Sequence, residues 1–188
     1  MMTVVFLLLF TKTTDASAFD LQKEIDAAKE GAELLVPKGR YEGNYTITKS
    51  LTLKGTSGTE IVAKGEAPAI RIEDVQDVMV ENLTLSAQNK AILASNVEGL
   101  TLLQLTIRGV HTGIYLQRAK GVRLQNSSIT GKEGHYSKKG NGIAIYKSKD
   151  VVVEDSTIQQ VQDGIYIEEV ERIAVTNNTV QNLSLIHI

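Results

Sequence analysis

The stretch NGIAIYKSKDVVVEDSTIQQVQDGIYIEEVERIAVTNNTVQN, Asn141 to Asn182, carries one apolar pattern twice. Ile143, Ile145, Val151, Val153 and Ile158 are answered by Ile165, Ile167, Ile173, Val175 and Val180, each 22 residues further on. The same five columns continue towards the N-terminus. Ile70, Ile92 and Ile114 precede Ile143, and Ile72, Ala94 and Leu116 precede Ile145. Val78, Leu100 and Val122 precede Val151, Val80, Leu102 and Leu124 precede Val153, and Leu85, Ile107 and Ile129 precede Ile158. The steps are 22, 22, 29 and 22 residues, and every member but Ala94 is Val, Ile or Leu. A repeat this strict indicates a solenoid, in which no coil buries its apolar face without its neighbours.

Alternation within each coil, as in Gly164 to Ile167 and Ile173 to Val175, together with β-branched side chains, indicates strands. About three short strands per coil are expected, stacked one strand spacing apart, ~4.8 Å. Leucine-rich repeats share the coil length but add a helix and a leucine pattern that this chain lacks. The fold expected is all-β, a right-handed parallel β-helix of about 22 residues per coil, as crossover handedness also favours. Asp20 is placed to cap a helix reaching Glu30, with Leu21, Ile25 and Ala28 on one face and Gly31 at its end. That short N-terminal helix would cover the open sheet edge, looser turns would follow, and regular coils would begin at Ala69.

Two kinds of polar column accompany the apolar ones. Asn82, Gln104, Asn126, Asp155 and Asn177 recur in step, which is expected to place their amides at a tight inner turn. Charges alternate in sign between coils: Glu98 with Lys120, Lys147 with Glu169, Lys149 with Glu171 and Asp150 with Arg172. Such pairs belong to the stack rather than to chemistry.

One interval breaks the period. Ile129 to Ile143 spans 14 residues where Leu85 to Ile92, Ile107 to Ile114 and Ile158 to Ile165 each span seven. The insertion, within Thr130 to Gly142 (TGKEGHYSKKGNG), carries Lys132, His135, Tyr136, Lys138 and Lys139. Insertions in solenoids map to loops on one face, often the binding face. His111 lies on the same edge in the preceding coil and Asp163 in the following one, so stacking would bring His111, His135 and Asp163 into successive layers. Two imidazoles and a carboxylate make a candidate borderline-metal site, for copper or zinc; the ordinary alternative is two surface histidines in loops. Tyr115 and Tyr166 point outward beside this edge, and with Lys132, Tyr136, Lys138 and Lys139 they form the candidate binding surface.

Net charge is −2 with pI near 6.0, which gives no basic footprint for nucleic acid. The absence of cysteine removes disulfides, thiolate metal sites and Cys nucleophiles. No G-x-S-x-G, P-loop or paired-carboxylate groove appears, so the sequence supplies no catalytic constellation, and enzymatic function stays open on the residues alone. Val4 to Phe10 followed by Ala16-Ser17-Ala18 has the apolar core and small-x-small site of a secretory signal, without a charged n-region. Residues 1–18 are therefore expected to be a signal peptide, with 19–182 the β-helix. The last residues, Leu183 to Ile188 (LSLIHI), are what a transposase sequencing adapter encodes, and Ile186-His187 falls where the register calls for Gly-Ile. Residues 183–188 are read as such a tail, and the β-helix as truncated at its C-terminal end with an open edge prone to self-association.

Gly131 to Asn182, with the entry segment Leu21 to Gly55 and the element Lys139-Gly140-Asn141-Gly142-Ile143, resembles NosD-type proteins. These belong with the CASH-type β-helices of carbohydrate-binding proteins and sugar hydrolases. The resemblance implies an exported, non-enzymatic accessory factor for maturation of nitrous-oxide reductase. Its implied location is the periplasm, or the outer face of the cytoplasmic membrane in a Gram-positive organism. The implied partners are an ABC transporter permease and ATPase, a copper-chaperone lipoprotein and the reductase, whose copper–sulfur centres are being assembled. The alternative is a carbohydrate-binding or carbohydrate-cleaving β-helix. A third reading is a purely structural solenoid.

Overall fold

The computed structural model describes residues 19–135 and 139–184. The expected signal peptide, the candidates Tyr136 and Lys138, and residues 185–188 lie outside the described residues.

The chain winds as a right-handed parallel β-solenoid of about seven turns, with about 22 residues per coil. One coil shows the plan, with strands at Thr112–Gln117, Lys120–Gln125 and Ser128–Gly131. Each strand pairs in parallel with its counterparts above and below, so like residues face like: Ile92, Ile114, Ile143 and Ile165 are successive ladder partners. In two earlier coils the first two strands run together, as Ile70–Glu81 and Lys90–Leu103. The five apolar columns line the interior, and their first four members are each no more than 2% exposed. Parallel strands satisfy one another's backbone groups coil by coil, which lets so slender a core stay dry.

Gly113, Gly142 and Gly164 occupy the corner before the first strand. A Cβ at Gly113 would meet Ile129 Cγ2 at 2.6 Å, one at Gly142 would meet Ile158 Cγ2 at 2.3 Å, and one at Gly164 would meet Val180 Cγ1 at 2.5 Å. The glycines are there for close approach of two sheets. In the earlier coils the position is Ala69 and Ala91, both fully buried.

The N-terminal helix spans Leu21–Ala27, capped by the Asp20 carboxylate accepting from the Lys23 N–H. It ends earlier than the expected Glu30, because Ala28 is already extended (ψ 141°) and Gly31 (φ +73°) serves the following turn instead. The helix buries Leu21 and Ile25 on the first coil. Its Gln22 side chain donates to the Thr46 carbonyl (3.1 Å) and accepts from the Thr46 N–H (2.8 Å), standing in for a missing strand. Lys49 Nζ donates to the carbonyls of Asp26 and Ala28 at the helix end.

The polar column is corrected in its direction. Asn82, Gln104, Asn126, Asp155 and Asn177 all have φ between 50° and 55° and are exposed, so they form an outer left-handed corner. Short amide and carboxylate side chains tolerate this conformation, which explains the choice of residue. Of the five, Asn82 reaches a neighbouring backbone, donating to the Gly55 carbonyl at 2.8 Å. The inward ladder belongs to the next position, where Ser127 Oγ accepts from Leu105 N–H, Ser156 Oγ from Ser127 N–H, and Asn178 Oδ1 from Ser156 N–H.

Candidate functional site

Three tyrosines stack on the outer face of the first sheet. Tyr115, Ala144 and Tyr166 are ladder partners in successive coils, while Tyr146 sits two residues beyond Ala144. Alternate residues on a strand share a face. Ala144 is small and buried, so it leaves a gap over which the Tyr146 ring leans. The ring centroids lie 5.1 Å apart for Tyr115–Tyr146 and 5.5 Å for Tyr146–Tyr166, with tilts of 31° and 40°. Lys90 Nζ sits 5.5 Å from the Tyr115 ring centroid, closing the stack on its N-terminal side. The Tyr166 hydroxyl donates to Glu168 Oε2 at 2.9 Å, and this bond raises its pKa above the usual phenol value. Burial raises that of Tyr146.

Beside the stack lies a shallow groove of about 440 Å³. Its lining is polar: Asn89, His111, Thr112, Asn141 and Gln162, with Lys90 and Lys139 as its cations. The inserted loop forms one wall. Gly140 packs so closely that a Cβ there would lie 2.7 Å from His111 Nε2, and the Gly113 N–H donates to the Asn141 carbonyl at 3.1 Å. On the other flank of the edge Arg108 and Lys132 border a second depression, floored by Ala63, Ala87 and Gly109.

The expected coil-to-coil charge pairs are present: Lys120–Glu98 at 2.6 Å, Arg172–Asp150 at 2.5 Å, Lys149–Glu171 at 3.4 Å and Lys147–Glu169 at 3.9 Å. The hydrogen bond from Arg172 holds the Asp150 carboxyl below its usual range, and Glu98 raises Lys120. By contrast, among the described residues Lys90, Arg108, Lys132 and Lys139 enter no ion pair.

His111 lines the groove, and the Asp163 carbonyl accepts from the Gly142 N–H in the layer after it. His135 is exposed on the loop. Among the described residues no three His, Asp or Glu side chains are gathered to hold a metal ion, so these three are not brought into one ligand set. Of the candidate surface, Tyr115 and Lys139 line the groove, Tyr166 ends the stack, and Lys132 lies on the opposite flank. Tyr146 was not among the sequence candidates; the signal available for it was the small Ala144 breaking a tyrosine column.

Comparison with known proteins places this geometry. A family model described as "Right handed beta helix region" matches residues 44–187. A protein of Pseudomonas aeruginosa named "Probable ABC transporter binding protein NosD" is 27% identical over 134 residues, 67% of this chain and 31% of its own length. A protein of the same name from Stutzerimonas stutzeri is 25% identical over 138 residues, covering 69% of this chain and 31% of its own. This chain therefore spans about a third of the length of those relatives. A solved structure of a suspected glycosyl hydrolase from Parabacteroides merdae superposes with TM-score 0.72 at 14% identity, covering 88% of this chain and 90% of that one. The last likeness is one of fold. Among the described residues no helix is long and apolar enough to cross a membrane.

Proposed function

The chain belongs to the right-handed beta helix family, and from that premise we propose that it is an accessory scaffold of the NosD type. Its role on this reading is to act outside the cytoplasmic membrane with an ABC transporter during maturation of nitrous-oxide reductase. The observation that carries the reading is the likeness to two ABC transporter binding proteins across two thirds of this chain. The architecture supports it: a stiff stack of paired coils holds one loop-bearing edge in fixed register, which suits a scaffold. On this reading copper is the cargo of the assembly.

The test is complementation. In a denitrifying host lacking its own NosD, a chimera carrying residues 19–182 in place of the matching coils should restore copper content and turnover of the reductase. Reductase that stays copper-poor, with the chimera present and folded, would overturn the reading. Export is checked separately by fusing residues 1–18 to a reporter active only outside the cytoplasm.

The second reading, a carbohydrate-binding or carbohydrate-cleaving β-helix, is favoured by one observation, the tyrosine stack beside a polar groove. Polysaccharide turnover without any effect on reductase copper loading would decide for it.

A further inference from the structure

Two phenols and one carboxylate meet at the C-terminal end of the tyrosine stack. The rings of Tyr146 and Tyr166 are in contact, with centroids 5.5 Å apart. Glu168 is the ladder partner of Tyr146, and its Oε2 accepts the Tyr166 hydroxyl at 2.9 Å. All three side chains stand on the outer face of the first sheet, where the core makes no demand on them. We propose that Tyr146 and Tyr166 form an oxidative modification site, at which a one-electron oxidant joins the two rings by a carbon–carbon bond.

Access, proton and charge together select this pair among the described tyrosines. Tyr41 and Tyr45 are buried, out of reach of a soluble oxidant, whereas Tyr166 is exposed and Tyr146 is partly so. A phenol that gives up an electron must also give up its proton. The Tyr166 proton has a carboxylate already within the reach required of a base. The Tyr41 hydroxyl instead donates to the Pro37 carbonyl, which accepts a hydrogen bond but does not take the proton. Tyr115 also touches Tyr146, at 5.1 Å, but its other face meets Lys90 Nζ at 5.5 Å. A cation there opposes the positive charge that an oxidised ring acquires.

The oxidant is of the class of oxidised metal complexes and radicals that take one electron at a time, and the reaction consumes two equivalents. Each phenol gives one electron to the oxidant. The Tyr166 proton passes to Glu168 and the Tyr146 proton to water. The two phenoxyl radicals then couple through a ring carbon beside each hydroxyl. Each of those carbons releases its hydrogen as a proton while the neighbouring oxygen regains one. In sum, two phenols become one biphenol, with two electrons passed to the oxidant and two protons to solvent. The bond fixes the strand Ile165–Glu168 to the strand Ile143–Tyr146, across 20 residues of sequence. Such a link restricts the unfolded chain as a disulfide does, in a protein without cysteine.

The test is oxidation of the whole chain, at low protein concentration, by an illuminated ruthenium trisbipyridyl complex with persulfate. Dityrosine fluorescence follows the rate, and peptide mass spectrometry identifies the product. A peptide pair joined at Tyr146 and Tyr166 is expected, lighter by two hydrogens than its parts, within a single chain. The linked chain should unfold at a higher urea concentration than the unlinked one. Tyr146→Phe and Tyr166→Phe, which keep the rings, should each abolish this product, and Tyr115→Phe should leave it in place. Glu168→Gln keeps a hydrogen-bond acceptor but removes the base, and should slow the reaction several-fold with unchanged circular dichroism. Oxidised tyrosines without this link, or links formed only between chains, would overturn the proposal. So would a product joined chiefly at Tyr115 and Tyr146, or a Glu168→Gln chain that reacts at the native rate. Reductase maturation plays no part in the assay, so this inference and the scaffold reading fail independently.

Discussion

At Gly142 an added Cβ would lie 2.3 Å from Ile158 Cγ2 and 2.6 Å from the Gly164 carbonyl oxygen, and the backbone atom cannot swing aside. Gly142→Ala is therefore expected to destabilise the fold by about 1–3 kcal/mol, as overpacking does, measured by urea denaturation. The conformation is not the issue, since Gly142 is not among the positive-φ glycines. Tyr146 supplies a second test at this scale. Its phenol is raised chiefly by burial against its neighbours, and Tyr166 is raised chiefly by the hydrogen bond to Glu168. Ultraviolet titration should show these two ionising above the ordinary tyrosine value of ~10. The folded chain holds their protons more firmly than the unfolded one, so their stabilisation is complete below that value. It fades as pH rises through the raised values. Replacing Glu168 with Gln should return Tyr166 towards the ordinary value and leave Tyr146 nearly where it was.

Between coils, two kinds of ladder differ in strength because they differ in access to water. Ser127 Oγ accepts from the buried Leu105 N–H at 3.1 Å and itself donates to the Gln125 carbonyl. Ser127→Ala leaves that N–H without a partner in the interior and should cost about 1–3 kcal/mol. Lys120→Ala breaks the exposed pair with Glu98 and should have a much smaller effect, one that vanishes in high salt. The contrast is readable in chemical denaturation at two ionic strengths. It also marks what the sequence leaves open. A fixed period shows that Asn82, Gln104 and Asn126 form a column, but inward and outward columns share the same period. The side is decided by the left-handed corner at φ near 50°, a feature of the folded backbone. The apolar columns were legible because only a buried column needs to be Val, Ile or Leu throughout. The inserted loop was legible because it broke their step. Tyr146 was not, since it reaches the stack only across the gap above Ala144.

For the molecule as a whole, the interior columns run unbroken until their last members. Ile145 and Val153 are no more than 1% exposed and Ile158 is fully buried, yet one layer on Ile167 is 44%, Val175 45% and Val180 41% exposed. The same strands, Ile165–Glu168, Glu171–Thr176 and Thr179–Gln181, pair on one side only within the described residues. At the opposite end the helix Leu21–Ala27 and the Gln22 side chain cover the corresponding edge. An edge that offers unpaired strands and apolar side chains together is a template for another chain. Two copies meeting end to end through this layer would bury both sets at once, and a two-fold arrangement closes without leaving a further edge. A polypeptide of these 188 residues alone is therefore expected to dimerise in a concentration-dependent way at tens of micromolar, as measured by sedimentation velocity. Ile167→Lys with Val175→Lys places charges where the columns would meet and should return the monomer. A wild-type chain that sediments as a monomer throughout that range would show that the exposed layer is stable in water.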